Sequence, residues 1–141
     1  MDEPRRKRKS GIPTGHAGEY LVMGEFLRRG YDAQLADRNT RGYDILAGHE
    51  SDATLHKIQV KTVRTQPWYV RMSQFEGDAL ELVTVYVLLG TEECKNPIRF
   101  FITKNRDVKQ YAERPKGWTD TGFVRLKNLL PFEDKWKTVL A

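Results

Sequence analysis

The first long stretch of patterned residues lies between Thr14 and Gly30. Ala17, Tyr20, Leu21 and Leu27 make one apolar stripe, and Val22, Met23 and Phe26 widen it. The pattern predicts a helix over 15–29, packed on more than one side. Thr14 is the expected N-cap and Gly30 the C-terminal stop, with Arg28 and Arg29 in the last turn, where the helix dipole favours cations. Gly18 and Gly24 each lower helix propensity by roughly 1 kcal/mol, which points to close approach of another part of the chain. Three short extended segments follow, at 31–36, 43–47 and 57–63, joined by turn-rich or polar loops; such short connections predict an antiparallel meander. Beyond Pro67 the pattern weakens. It gives a short strand at 68–70, a helical turn at 78–82, a buried strand at 82–89 and another at 98–103. A helix over 105–113, a last strand at 123–126 and a terminal helix with Pro131 in its first turn, running through Trp136, complete the chain. This order of elements predicts an α/β domain with a central mixed sheet flanked by helices.

Faces can be assigned along the third extended segment. Ile58, Val60 and Thr62 share one side and Lys57, Gln59 and Lys61 the other, so the apolar pair faces the core and Gln59 and Lys61 project together from the opposite surface. Asp44, in the second segment, comes beside them if the two strands pair in a suitable register. On the helix, Glu19 has Val22, Met23 and Phe26 at i+3, i+4 and i+7. It thus continues an apolar line, and a carboxylate there needs a cation or a metal as partner. Glu25 is expected to face solvent. Two carboxylates, an amide and a lysine on three successive elements suit Mg²⁺-assisted phosphodiester hydrolysis, because hard oxygen ligands hold the ion and an ammonium beside it orients water and offsets charge.

Charge extends this picture to partners. The chain has 141 residues and a formal net charge of +5, which favours a polyanionic partner. Arg5, Arg6, Lys7, Arg8 and Lys9 form a basic block, so residues 1–13 are expected to be a flexible arm ahead of a single domain at 14–141. The arm is either a phosphate contact or a solvated tail or address signal. Arg38, Arg41 and Arg64 flank the proposed site, either as phosphate clamps or as a solvated basic rim. Trp68 and Tyr69 either stack on a base or pack in a core or interface. A single cysteine, Cys94, excludes an intramolecular disulfide framework and a cysteine-rich zinc site, and His16, His49 and His56 lack ligand spacing. No apolar run is long enough for a membrane span, and no apolar stretch follows the basic block; a soluble cytoplasmic protein, nucleoid-associated in a bacterium or archaeon, is expected.

Gly18-Glu19 on the first helix, Gly42-Tyr43-Asp44-Ile45 and Ile58-Gln59-Val60-Lys61-Thr62 together resemble the PD-(D/E)XK nuclease superfamily. The chain is most similar there to small enzymes of the Holliday-junction-resolvase and homing-endonuclease type, and Leu27-Arg28-Arg29-Gly30-Tyr31 also fits. The similarity covers about residues 14–64. It implies a restriction-endonuclease-like fold and a Mg²⁺ site, with Mn²⁺ as substitute. By the same resemblance Asp44 is the central metal ligand, Glu19 an accessory acid and Lys61 the catalytic lysine, with Gln59 and the Val60 carbonyl as neutral ligands. The usual second acid of the motif is replaced by Gln59, which supplies a carbonyl oxygen but no charge. The implied activity is a Mg²⁺-dependent DNA endonuclease acting on duplex or branched DNA as a homodimer, since two-fold symmetry suits cutting two strands. Trp68, Tyr69 and the Phe100-Phe101 pair are candidates for the dimer interface. The alternatives are an inactive nuclease-fold DNA-binding or scaffold module, and a nuclease acting on RNA.

Overall fold

The computed structural model describes residues 12–37, 42–49 and 55–140. The first helix, α1, runs Ile12–Arg28. It begins ahead of the expected cap: Thr14 lies inside it, and Pro13 stands in its first turn, where a fixed φ and a missing N–H cost nothing. Its end is the predicted one. Gly30 has φ +88°, its N–H donates to the Leu27 carbonyl at 3.1 Å, and the Tyr31 N–H donates to the Phe26 carbonyl at 3.0 Å. These two bonds close a Schellman motif, and the Phe26 and Tyr31 rings meet edge to face at 5.7 Å.

The antiparallel meander is present as β1 (Asp32–Leu35), β2 (Ile45–Gly48) and β3 (His56–Val63). A parallel neighbour, β5 (Val83–Leu88), and an antiparallel edge strand, β6 (Arg99–Lys104), complete a mixed sheet of order β1-β2-β3-β5-β6. A separate two-stranded ribbon pairs β4 (Trp68–Arg71) with β7 (Thr121–Val124). Two 3-10 turns, Met72–Phe75 and Gly77–Glu81, lead from β4 into β5. The helix predicted over 105–113 is only one turn of α2 (Asn105–Val108) followed by a 3-10 turn, Lys109–Tyr111. The terminal helix is likewise broken into α3 (Leu126–Leu129) and 3-10 turns at Leu130–Phe132 and Trp136–Leu140, so Pro131 sits within a tight turn rather than opening a helix.

Each face of the sheet has its own core. Under α1, Val22 and Phe26 pack with Ile45, Ile58, Val60, Val83, Val85, Val87, Phe100, Ile102, Trp136 and Val139. The helix is buried on this one side only: Tyr20 and Leu27 are exposed, against the expectation of packing on more than one side. Gly18 is buried, and a Cβ there would overlap the Thr62 hydroxyl of β3, whereas Gly24 faces open space. On the other face Tyr86 and Phe101 pack with Trp68 and Val70 of the ribbon, Phe75, Val108, Val124 and Leu129. Trp68, Phe100 and Phe101 are therefore core residues, which removes them as interface candidates; Tyr69 remains exposed. Among the described residues no helix is long and apolar enough to cross a membrane.

Candidate active site

The site forms where β2 parts from β3. The two strands pair from Ala47↔His56 to Ile45↔Ile58, and the Asp44 N–H still donates to the Ile58 carbonyl at 2.8 Å. Beyond that point β3 continues to Val63 with β5 as its partner on the other side. At the first unpaired position the Asp44 side chain takes the place of a strand: its Oδ2 accepts the Val60 N–H at 2.8 Å. Asp44 thus stands just ahead of β2 rather than on it, fixed to the main chain of the strand carrying Gln59 and Lys61. In an extended strand a residue's N–H and C=O point to the same side. The Val60 carbonyl therefore opens onto the same strand edge as the Asp44 carboxylate.

Glu19 reaches this fork because Gly18 lets α1 settle against Thr62. Glu19 is half-buried, and Val22 and Phe26 on its line are fully buried, as the helical spacing predicted. Its carboxyl pKa is raised, first by burial and then by the Asp44 charge, with His16 acting the other way. Lys61 is also half-buried. Burial lowers its ammonium pKa, Asp44 pulls it back up, and Arg71 pushes it further down. Asp44 is therefore the electrostatic link between acid and lysine.

Gln59 and Lys61 open together into a cleft of about 690 Å³, lined also by Gly42, Arg71, Ser73, Gln74 and Asn105. This is the side away from α1, as the alternation along β3 predicted. The far wall is held by a buried polar network. Asn105, 1% exposed, donates from Nδ2 to the Gln74 carbonyl at 3.1 Å and the Ala79 carbonyl at 2.9 Å. Its Oδ1 accepts the Thr84 hydroxyl at 2.6 Å, and Gln74 Nε2 donates to the Tyr86 hydroxyl at 3.2 Å. Burial pushes the Tyr86 phenol well up, so it stays neutral. Arg71, Gln74 and Asn105 were not singled out from sequence. Only the alternation of Arg71 with buried Trp68 and Val70 carried a local signal.

Other expected residues lie elsewhere or outside the described chain. Arg64 donates from Nη1 to the Gly90 carbonyl at 3.1 Å and lines a different cavity, with Gln66, Arg99 and Glu133. Arg38, Arg41 and the basic block Arg5, Arg6, Lys7, Arg8 and Lys9 fall outside the described residues. Among the described residues no three His, Cys, Asp or Glu side chains gather as a metal cluster. The available donors are two carboxylates, one amide and a main-chain carbonyl. All are hard oxygens of the kind Mg²⁺ takes, and the like-charge repulsion that raises Glu19 is of the kind a divalent cation relieves. The residues present therefore fit the ion that the motif implies.

No protein-family model matches the chain, and no curated protein does. Solved structures do. The Holliday junction resolvase Hjc of the archaeal hyperthermophile Archaeoglobus fulgidus is 19% identical, aligned over 89% of this chain and 93% of its own, with a TM-score of 0.55. The bacterial homing endonuclease I-Ssp6803I is 16% identical over 94% of this chain and 93% of its own, with a TM-score of 0.58. Both alignments span far more of the chain than the sequence motifs do. The chain shares its fold with both, a restriction-endonuclease-like mixed five-stranded sheet flanked by helices.

Proposed function

We propose that this protein is a Mg²⁺-dependent DNA endonuclease. The observation that carries the proposal is Asp44 bonded to the Val60 N–H at the open edge of β3, electrostatically coupled to Glu19 on one side and Lys61 on the other. Asp44 and Glu19 would hold the ion, with Gln59 and the Val60 carbonyl as neutral ligands. A bound divalent ion supplies Lewis acidity to the phosphate and lowers the pKa of water. The chain's own residues do the rest. Lys61 orients the attacking water and offsets the negative charge that grows on the phosphorane. The Val60 N–H fixes the Asp44 carboxylate, so the ligand is pre-positioned rather than recruited. The fold shared with a Holliday junction resolvase and a homing endonuclease supports DNA as the substrate, as does the net charge of +5. We further propose that the protein acts as a homodimer in the cytoplasm, one protomer for each strand cut.

Gln59 in place of an acid favours a second reading, a DNA-binding module without hydrolysis. Calorimetric titration with Mg²⁺ separates the two. The nuclease reading predicts specific Mg²⁺ binding to the wild type and none to Asp44→Asn. DNA binding that ignores both Mg²⁺ and Asp44→Asn supports the module instead.

A further inference from the structure

The β4–β7 ribbon carries features that the chemistry above does not use. Strand alternation buries Trp68 and Val70, and leaves Tyr69 and Arg71 together on the other face. Arg71 lines the cleft with Gln59 and Lys61, and no ion pair among the described residues engages it. Two cations, Arg71 and Lys61, thus face one cleft. Tyr69 lies two residues back, roughly 7 Å along the strand, and is 59% exposed. Its ring is 6.4 Å from Trp118, which is 42% exposed, and Trp118 meets Phe123 at 6.1 Å. The Trp118 backbone N–H donates to the Pro115 carbonyl at 3.0 Å, which closes the turn carrying exposed Lys116 beneath this ring. An aromatic patch therefore begins where the cationic cleft ends, on one continuous surface.

We propose that this ribbon is a grip for an unpaired strand: Arg71 holds the phosphate adjoining the one at Lys61, and Tyr69 with Trp118 stacks on an unpaired base of the neighbouring nucleotide. The inference rests on the nuclease reading for the position of the reacting phosphate. Its argument for substrate class is geometric. In continuous duplex the base faces already cover one another, so exposed rings meet no π-face there. A splayed or single-stranded nucleotide offers one, and such stacking does not depend on base identity. The favoured substrate is then DNA with an unpaired nucleotide beside the cleavage point.

The test measures binding by fluorescence anisotropy with Ca²⁺ replacing Mg²⁺, so that no cutting intervenes. The probes are a blunt duplex and the same duplex with a single-stranded extension carrying a fluorescent purine analogue. Tyr69→Ala and Trp118→Ala are each expected to weaken binding of the extended probe about tenfold. They also abolish quenching of the analogue and leave the blunt duplex unchanged, while Tyr69→Phe behaves as wild type. Arg71→Ala weakens both probes and flattens the log–log salt slope by about one, which Arg71→Lys restores. For Tyr69→Ala and Trp118→Ala, equal losses on both probes, or no loss on either, overturn the grip. So does a Tyr69→Ala variant that binds normally but turns a dimer into a monomer in sedimentation, which makes the patch a self-association face. Because binding is read apart from cutting, a protein that discriminates the probes yet never cleaves in Mg²⁺ loses the nuclease reading and keeps the grip; one that cleaves without discriminating does the reverse.

Discussion

The two faces of the central sheet solve different problems. The α1 face is built mainly from aliphatic and aromatic side chains, with Val22 and Phe26 laid over alternate residues of four strands. The ribbon face mixes an apolar cluster with buried Thr84, Thr103, Asn105 and Gln74, and opens into the cleft beside Lys61. A dry face sets the frame, because apolar burial is non-directional and tolerant of small shifts. A polar buried network sets positions, because each hydrogen bond fixes a distance and leaving one unmade is costly. The candidate site sits at the margin between them, where α1 supplies Glu19 and β3 sends Lys61 to the other side.

This contrast can be broken from either side. Phe26→Ala should have the largest effect on stability. Phe26 is fully buried and touches both Tyr31 and Trp136. Its truncation should cost about 3–5 kcal/mol in urea unfolding while leaving cleavage per folded molecule close to wild type. Asn105→Ala should cost less, about 2–3 kcal/mol, yet damage function more. It orphans the Gln74 and Ala79 carbonyls and the Thr84 hydroxyl, so the turns that line the cleft lose their anchor. Steady-state kinetics on folded protein should show a fall in kcat/KM. Equal functional losses in the two variants would erase the distinction between frame and positioning face.

The smallest effect is expected where the chain crosses from one face to the other. Leu129 belongs to the ribbon-side core and Trp136 to the α1-side core. Between them Glu133 accepts two hydrogen bonds from Arg99, at 2.7 and 2.8 Å. That pairing lowers the Glu133 carboxyl below its ordinary 4.5. The folded state then binds the proton less tightly than the unfolded state, so the contribution is complete above pH 4.5 and is lost as pH falls through the depressed value. The pair is partly solvent-screened, so Glu133→Gln should cost under about 1 kcal/mol at neutral pH. Thermal melts should show the gap to wild type closing as the pH falls below 4.5.

The α1-side frame was largely legible in the sequence. The helix, its Gly30 stop, the meander and the inward turn of Ile58 and Val60 all follow from local periodicity and turn chemistry. Tyr20 and Leu27 misled because helical spacing cannot say which apolar residues are left outside a one-sided contact. Thr14 looked like a cap, but Pro13 was the stronger start signal. The ribbon face was much less legible. β4 and β7 pair across about fifty residues, with Trp68 opposite Val124, and no local pattern announces that match. Its helices are single turns, too short for a period to register. Of the candidate site, alternation along β3 put Gln59 and Lys61 on one face, the apolar line on α1 put Glu19 on its packed side, and Asp44 came beside β3 only through the pairing of β2 with β3. Arg71, Gln74 and Asn105, which complete the cleft, come from the segments whose pairing is non-local.

Cleavage of labelled branched and linear DNA in Mg²⁺ tests the central claim most directly, comparing wild type with Asp44→Ala and Lys61→Ala. Loss of metal-held charge stabilisation worth several kcal/mol predicts a fall of about 10³-fold for Asp44→Ala, since each 1.36 kcal/mol is a factor of ten. Lys61→Ala should lose at least about 10²-fold, and both losses should appear on every DNA that the wild type cuts. Mg²⁺-dependent cleavage that persists in both variants would contradict the account.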